Sequence, residues 1–361
     1  MKYLLFSCLF AFSSSSIGQN TYSLDSFLSN EIELNKKVDS IFNILSDTSI
    51  VGQLIMPAMG RYGSHKDSID RYVEEGLIGG ILLLNGNKNQ FKEWTSAYDN
   101  FNKERKNLAF LYSADAEPSL VNRKIIGSKK VLRANEIKTI EQLNTTATII
   151  SKDLNTIGIN YNFAPVVDVS SNRTVGYRGF GSNPKNIIPF SSEFIKVTQG
   201  HNIIATAKHF PGHGLVSGDT HESLQTIDGE LKELSNYPPL IENGVLSIMI
   251  AHIAVKNNSE FTTNGLPSTL SKTIVSDLLR DSLDFQGLIV TDAMNMGGVA
   301  KIPQAEVKAI DAGCDIVLMP LNARTAHRNI LKNYTSNNEY KRKVDLACKR
   351  IIRMKICLDL I

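Results

Sequence analysis

Cysteine, tryptophan and charge of one sign are all scarce in this chain. Its 361 residues include four cysteines and one tryptophan, and 39 Lys and Arg residues against 36 Asp and Glu residues leave a net charge of +3. A nearly balanced charge gives no indication of a nucleic-acid-binding surface. No apolar run is long enough to span a bilayer. Three cysteines lack paired spacing, so we interpret them as buried apolar side chains, outside any disulfide or metal site: Cys314, Cys348 and Cys357.

The N-terminal residues have the pattern of an export signal. A charged start, Met1-Lys2, precedes a mostly apolar run over residues 3–12, and serines follow that run. We therefore predict a signal peptide over residues 1–18 and export to the periplasm or the medium. Cys8 offers the alternative of a lipoprotein, but the seven residues before it leave little room for an export core.

Short apolar runs alternate with segments of helical periodicity along the rest of the chain. The eight runs cover residues 53–59, 79–84, 109–113, 159–169, 203–208, 246–251, 288–291 and 315–320. Intervening segments such as 135–154 and 271–283 carry apolar residues at three- and four-residue spacing. Alternation of this kind predicts an α/β fold with a parallel sheet, and eight units predict a single (β/α)₈ TIM-type barrel over residues 51–361.

We predict that residues 19–50 form an N-terminal helical extension that covers one end of the barrel. A doubly wound open sheet is the alternative fold, but no Gly-x-Gly-x-x-Gly motif follows the first run, which disfavours it.

Charged and imidazole side chains stand at the ends of several runs. The third to the seventh run each end at or just before one or two of them: Asp115, Asp168, Lys208, His209, His252 and Asp292. The carboxyl ends of barrel strands meet on one face, where active sites are built. We therefore expect these side chains to converge on one site.

The segment after the fifth run carries a carboxylate and an imidazole two residues apart. If Asp219 and His221 lie in an extended segment, their side chains point to the same side. The carboxylate would then orient the imidazole, fix its tautomer and raise its pKa, which favours a proton donor. Gly212, Gly214 and Gly218 predict a loop that can move over a ligand. An ordinary polar loop is the alternative.

Asp292 and the Lys208-His209 pair each have two interpretations. Asp292 follows a buried run, so it can act as a nucleophile or stabilise a cation, or it can cap a helix that begins at Met294. Strand alternation would turn one of Lys208 and His209 inward and the other towards a neighbour. Both can donate hydrogen bonds to sugar hydroxyls or to an acid group; alternatively, Lys208 pairs with a buried carboxylate such as Asp168.

A metal site is the less favoured explanation of the histidines. His209 and His213 have the spacing of two ligands on a helix, with His221 and Asp219 nearby. Pro211 and the glycines beside it disfavour that helix. We therefore predict no metal and no cofactor, and we keep a metal-dependent hydrolase as an alternative.

The motif Lys208-His209-Phe210-Pro211-Gly212-His213-Gly214, followed by Asp219-Thr220-His221, resembles the signature of glycoside hydrolase family 3, in its bacterial β-N-acetylglucosaminidase branch. Further blocks resemble the family in order along the chain: 79–81, 164–168, 178–181, 267–271, 291–296 and 312–315. The resemblance implies a (β/α)₈ barrel without the second α/β domain that some members carry.

The resemblance also implies roles for individual residues. Asp292 takes the nucleophile position, and His221 takes the general acid/base position with Asp219 as its partner. Five more residues fall on positions that hold the N-acetylglucosamine ring: Asp115, Arg123, Arg178, Lys208 and His209. The implied reaction is a double displacement with retention of configuration.

The implied function is that of a retaining exo-β-N-acetylglucosaminidase acting on peptidoglycan fragments or chitooligosaccharides. We expect carbohydrates as its partners, with no nucleic acid, and a monomeric protein. One block departs from the family: Asp115-Ala116-Glu117-Pro118-Ser119 has proline and serine where the family has two glycines. This departure affects substrate preference first. The alternatives are a β-glycosidase specific for glucose or xylose, an N-acetylglucosamine phosphorylase, and a non-catalytic sugar-binding barrel.

Overall fold

The computed structural model describes residues 22–361, so the predicted signal peptide over 1–18 lies outside the described residues. The α-helices are α1 Ile32–Asn43, α2 Asp47–Gln53, α3 Lys66–Glu74, α4 Lys88–Arg105, α5 Val121–Lys124, α6 Ile140–Ile157, α7 Pro184–Gly200, α8 Tyr237–Glu242, α9 Ala305–Ala312, α10 Ala323–Ser336 and α11 Asn338–Cys357. The strands are β1 Ile55–Met56, β2 Ala58–Met59, β3 Gly80–Leu83, β4 Gly86–Asn87, β5 Leu111–Ala114, β6 Ile125–Ile126, β7 Tyr161–Asn162, β8 Ile204–Phe210, β9 Gln225–Asp228, β10 Ser247–Ile250, β11 Ile253–Lys256, β12 Leu288–Thr291 and β13 Val317–Leu318. Short 3₁₀ helices cover Leu24–Ser26, Ala134–Glu136, Gly176–Arg178, Leu234–Asn236 and Ser268–Leu270.

A curled parallel sheet forms the centre of the molecule. Its seven strands lie in the order β12-β10-β8-β7-β5-β3-β2, and β1 pairs in parallel with β13 beside it. Each of the eight predicted runs overlaps at least one of these strands. Their side chains are buried throughout, as expected for a parallel sheet with both faces covered. The predicted α/β class with a parallel sheet is therefore confirmed.

Two of the predicted runs are interrupted at prolines. Pro57 separates β1 from β2, so that β1 pairs with β13 while β2 pairs with β3. In the fourth run, regular pairing stops at the end of β7, and Pro165 follows three residues later. Proline has no N–H group to donate to a ladder, so a continuous strand is not maintained at either position.

Helices α3 to α9 lie between strands along the chain, and several helices have recognisable ends. The Thr139 side chain accepts a hydrogen bond from the Gln142 N–H at the start of α6, and Gly158 ends that helix with a φ of 88°. The predicted helix over 271–283 is present as a π-helix, Thr273–Ser282. Its apolar spacing over ten residues fits an α-helix equally well, so the sequence pattern did not separate the two.

The N-terminal and C-terminal segments pack against each other. Helix α1 lies on α11, and the Arg353 side chain on α11 donates hydrogen bonds to the carbonyl oxygens of Ser26 and Phe27. The three cysteines in the described part of the chain are unpaired and buried, as predicted. Within residues 22–361, no helix has both the length and the apolar character needed to cross a membrane.

Candidate active site

A cavity of about 840 Å³ opens at the carboxyl ends of the parallel strands. All eight site residues predicted from the sequence line it: Asp115, Arg123, Arg178, Lys208, His209, Asp219, His221 and Asp292. They come from the segments that follow β5, β7, β8 and β12, including α5 and the 3₁₀ helix Gly176–Arg178, and from β8 itself. The sheet therefore brings together residues that are up to 177 positions apart, from Asp115 to Asp292.

A buried network of three cations and two carboxylates forms one wall. Lys208 Nζ lies 2.8 Å from Asp115 Oδ1 and 2.6 Å from Glu117 Oε1, and Lys124 Nζ lies 2.5 Å from Asp115 Oδ2. The Arg178 guanidinium donates two hydrogen bonds to Glu117, of 2.7 and 2.9 Å. Lys208 is 1% exposed and Glu117 0%. The cations of this wall thus compensate two carboxylates: Glu117, which is shielded from water, and Asp115, which lines the cavity.

These cations determine the ionisation of both carboxyl groups. Burial would raise the pKa of Asp115, but the ammonium groups of Lys124 and Lys208 outweigh burial and hold it well below its usual range. Burial likewise opposes ionisation of Glu117, and Arg178 and Lys208 lower its pKa to about 2. Both side chains are therefore anionic acceptors at neutral pH, suited to hydroxyl donors.

Lys208 pairs with carboxylates, as one of its two interpretations predicts, but two details differ from expectation. Lys208 pairs with Asp115 and Glu117, and Asp168 instead accepts a 2.7 Å hydrogen bond from His209 Nδ1. Strand alternation also fails here, because Lys208 and His209 both line the cavity. The pairing of β8 with β10 shifts register at this point, leaving His209 without a partner residue on β10. A bulge of this kind re-aims side chains beside a site.

Asp292 lies directly after β12 and is half-buried. Its Oδ1 accepts a 2.7 Å hydrogen bond from the Ala293 N–H, and Oδ2 has no hydrogen-bond partner within residues 22–361. Burial opposes ionisation, but the nearby His209 imidazole and the Ala293 N–H lower the pKa of Asp292. No helix begins at Met294, where turns follow instead, so the helix-cap interpretation of Asp292 is wrong.

His252 fixes the chain directly after Asp292. Its Nε2 lies 3.0 Å from the Ala293 carbonyl oxygen, and its Nδ1 lies 2.6 Å from Thr269 Oγ1. The carbonyl can only accept, so Nε2 carries the proton and Nδ1 accepts from the threonine hydroxyl. Burial lowers the pKa of His252, which favours this neutral form. His252 therefore supports the Asp292 backbone as an uncharged donor.

Asp219 and His221 contact each other as predicted, but through a different local structure. Asp219 Oδ1 accepts hydrogen bonds from the His221 N–H at 2.8 Å and from the ring Nδ1 at 2.7 Å. The backbone here is a turn closed by the aspartate side chain, so the expected extended segment is wrong. His221 Nε2 has no hydrogen-bond partner in the described part of the chain and is free to face a ligand. The backbone N–H and ring of His221 lower the pKa of Asp219 against the effect of burial.

The loop that carries this pair, residues 211–224 between β8 and β9, is held by buried polar groups. Glu233 accepts hydrogen bonds from the N–H groups of Val169, Gly214 and Leu215, at 2.7, 3.1 and 3.2 Å. Burial and the nearby Asp168 carboxylate raise the pKa of Glu233 to about 8, although these donors lower it. Farther along the 211–224 loop, His213 Nε2 lies 2.9 Å from Thr220 Oγ1.

Sequence reasoning did not assign roles to four side chains that stand directly behind the cavity: Glu117, Asp168 as the partner of His209, Glu233 and His252. Glu117, Asp168 and His252 follow strand runs, so their positions offered a signal. Glu233 lies beyond β9 in a segment with no such pattern, and only the folded chain brings it to the site.

The histidines of the motif are engaged within the protein. His209 contacts Asp168, His213 contacts Thr220, and His221 contacts Asp219. Across residues 22–361, no group of three or more His, Cys, Asp or Glu side chains is arranged to hold a metal ion. The site is therefore described by hydrogen bonds and ion pairs among its own side chains.

Comparisons with known proteins show the family of the chain. Residues 48–354 match the family model described as the glycosyl hydrolase family 3 N terminal domain. "Beta-hexosaminidase A" of Pseudoalteromonas piscicida is 34% identical over 197 residues, which are 49% of this chain and 33% of that protein. "Beta-hexosaminidase" of Hydrogenovibrio crunogenus is 28% identical over 262 residues, which are 67% of this chain and 72% of that protein.

A solved structure shows the same similarity. The glycoside hydrolase family 3 β-N-acetylglucosaminidase of Paenibacillus sp. str. FPU-7 superposes with a TM-score of 0.80 at 27% identity, covering 88% of this chain and 63% of that one. This chain thus spans less than two thirds of the Pseudoalteromonas and Paenibacillus proteins. The family model, however, matches most of the chain, and the predicted resemblance is confirmed: the chain belongs to glycoside hydrolase family 3.

Proposed function

We propose that this protein is a retaining exo-β-N-acetylglucosaminidase that acts through a glycosyl-enzyme intermediate. The observation that carries the proposal is the Asp219–His221 pair on the same cavity as Asp292. One side of the cavity offers an ionised carboxylate with a free oxygen, and the other offers an imidazole with a free nitrogen. A nucleophile and a proton donor are the two groups that a retaining mechanism requires.

In the first step, Asp292 Oδ2 attacks the anomeric carbon and the glycosidic C–O bond breaks. His221 Nε2 gives its proton to the departing oxygen, so the aglycone leaves as a neutral alcohol. Asp219 holds the proton on Nδ1 and thereby makes Nε2 the reacting nitrogen.

In the second step, the neutral His221 Nε2 removes a proton from water, and the water oxygen attacks the anomeric carbon. The ester bond to Asp292 breaks, and the sugar leaves with its original configuration. The imidazole ends the cycle protonated, as it began.

The substrate class is proposed from the wall opposite these groups. Asp115 presents an anionic acceptor to sugar hydroxyls, while Lys208, Arg178 and Arg123 present donors. The names of the relatives support N-acetylhexosamine as the sugar. We propose terminal N-acetylglucosamine on peptidoglycan fragments or chitooligosaccharides as the substrates, and the Asp115–Ser119 segment as the place where preference among them is set.

We also propose that the sheet closes into a (β/α)₈ barrel. A bridge between Val290 and Ile316 and a 3.0 Å hydrogen bond from the Thr291 N–H to the Ile316 carbonyl link β12 to the chain before β13. The Gly79 N–H donates to the Ile55 carbonyl between β1 and β3. These contacts support closure of the sheet through β13 and β1.

Three further expectations from the sequence belong to this proposal. The protein is exported, it works as a monomer, and it requires no cofactor. The N-terminal sequence of the mature protein tests export, and size-exclusion chromatography with light scattering tests the monomer.

The first test is release of nitrophenol from the 4-nitrophenyl β-glycosides of N-acetylglucosamine and glucose, with EDTA present. We expect turnover of the N-acetylglucosamine compound and at least about a 10³-fold loss of kcat in Asp292→Ala, because the covalent route is removed. Asp281→Ala, which changes an exposed aspartate, is the matched control.

Other outcomes would replace the proposal. Preference for the glucose compound would identify the protein as a β-glycosidase of another specificity. Formation of a sugar 1-phosphate in phosphate buffer identifies a phosphorylase, and loss of turnover with EDTA indicates a metal-dependent enzyme. Binding of N-acetylglucosamine without turnover of either glycoside indicates a non-catalytic protein.

A further inference from the structure

Glu233 connects three segments around the site without lining the cavity. It is 4% exposed and accepts hydrogen bonds from Val169, after the Asp168 strand end, and from Gly214 and Leu215, at the start of the 211–224 loop. A buried carboxyl group that accepts three backbone N–H groups fixes the separation between the segments that donate them.

The packing around Glu233 is close enough to require glycine. A Cβ added at Gly212 would lie 2.5 Å from the Glu233 Cβ. A Cβ added at Gly214 would lie 1.9 Å from the Val169 carbonyl oxygen and 2.7 Å from Glu233 Oε1. The glycines that predicted a mobile loop are therefore, at these two positions, places where the loop packs closely against Glu233 and Val169. We call this contact the clasp.

Contacts continue from this clasp to the catalytic pair. His213, next to Gly214, contacts Thr220, which stands between Asp219 and His221. Asn172 donates hydrogen bonds of 2.5 and 3.0 Å to the Val216 and Gly218 carbonyl oxygens in the middle of the loop.

The end of the loop meets the segment that carries Asp292. The Gly297 N–H donates to the His221 carbonyl at 3.0 Å, and the Gly298 N–H donates to the Thr220 carbonyl at 3.1 Å. The position of His221 relative to Asp292 is thus set at both ends of the loop, and Glu233 fixes the first end.

We propose that Glu233 is a positioning residue for general acid/base catalysis, which it serves by clasping Gly214 and Leu215 and so placing His221 over the bound sugar. This inference rests on the proposed function of His221. Glu233 touches neither the substrate nor the reacting atoms. Its removal should therefore impair proton transfer more than sugar binding or nucleophilic attack.

The test compares two leaving groups in the full chain. Phenyl β-N-acetylglucosaminide needs protonation of its leaving oxygen, whereas the 2,4-dinitrophenyl compound leaves with little help. We expect Glu233→Leu to lower kcat/KM about 100-fold for the phenyl compound and less than about 5-fold for the dinitrophenyl compound, because displacement of a catalytic group by about 1 Å costs this much. Glu233→Gln keeps one acceptor oxygen and should recover part of the loss.

Controls separate positioning from general damage. Glu230→Leu changes an exposed residue of the same segment and should leave both substrates unaffected. In a His221→Ala background, Glu233→Leu should cause no further loss on the phenyl compound, because the group it positions is already absent. Equal losses on both substrates, or losses that multiply with those of His221→Ala, would overturn the inference.

The two proposals fail in different ways. If the wild type hydrolyses neither compound, the proposed function is contradicted and the inference with it. If the wild type is active but Glu233→Leu behaves like Glu230→Leu, only the inference is overturned.

Discussion

At the scale of single residues, the ammonium group of Lys208 allows the neighbouring carboxyl groups of Asp115 and Glu117 to be ionised together. It is 1% exposed and contacts both carboxylates. Removing one partner from a buried ion pair leaves uncompensated charge, whereas removing one partner from an exposed pair costs little.

We predict that Lys208→Met lowers the free energy of unfolding by about 3–5 kcal/mol, because Asp115 and Glu117 then face each other with less compensation. Urea denaturation at neutral pH measures the change. Lys66→Met, which removes a partly exposed pair with Asp70, is the control and should cost less than about 1 kcal/mol. Equal effects of the two substitutions would show that the Lys208 network is not held away from water.

Individual site residues were predictable to the extent that strand ends marked them. Asp115, Lys208 and Asp292 each stand at the end of an apolar run, and parallel strands bring such ends together. The partner of Lys208 was not predictable, because strand order and the bulge in β8 decide which carboxylate it reaches. Glu233 had no signal at all, since its role depends on how a later segment folds back over the 211–224 loop.

At the scale of elements, α11 carries a buried lysine to the central sheet. Lys355 is 0% exposed, and its Nζ donates to Gln53 Oε1 at 2.5 Å and to the Gly79 carbonyl oxygen at 3.1 Å. Neither acceptor is charged. Burial lowers the pKa of Lys355 to about 7.

This shift predicts a pH-dependent contribution to stability. In the unfolded chain the pKa of a lysine side chain is about 10.4. Between about pH 7 and pH 10 the unfolded state therefore binds more protons at Lys355 than the folded state does, and the free energy of unfolding rises with pH. Below about pH 7 both states are protonated, and the cost of burying the ammonium group is fully present.

We expect the free energy of unfolding of the wild type, relative to Lys355→Met, to increase by on the order of 2–4 kcal/mol from pH 7 to pH 10. Denaturant unfolding at several pH values measures the difference. Lys349→Met alters a partly exposed lysine on the same helix and should give a constant difference. A constant difference for Lys355→Met as well would contradict the assignment of a neutral buried amine.

The presence of the main strands and helices was predicted better than the residues at which they begin and end. Eight apolar runs led to the parallel strands because a sheet buried on both faces needs continuous apolar sequence. The breaks at Pro57 and Pro165 follow from missing N–H donors. The small pairs β4–β6 and β9–β11 were not predicted, because β4, β6 and β9 are partly exposed and lie outside continuous apolar runs.

At the scale of the whole molecule, the sheet is the device that assembles the site. Asp115, the 211–224 loop and Asp292 belong to separate units of the chain, and each is placed by the end of a strand. In the proposed function, the wall around Lys208 holds the sugar, while Asp292 and His221 act on the bond to be broken. The proposed function therefore requires that Asp292 and His221 divide the reaction between them as nucleophile and acid/base.

The most direct test of that claim uses His221→Ala and 2,4-dinitrophenyl β-N-acetylglucosaminide. This leaving group needs little protonation, so Asp292 should still be glycosylated, but water should be activated poorly and the intermediate should accumulate. Mass spectrometry of the intact protein and of its peptides should show one added N-acetylglucosaminyl group on Asp292, and none in the His221→Ala, Asp292→Ala double variant. An adduct on another residue, or no adduct, would contradict the account.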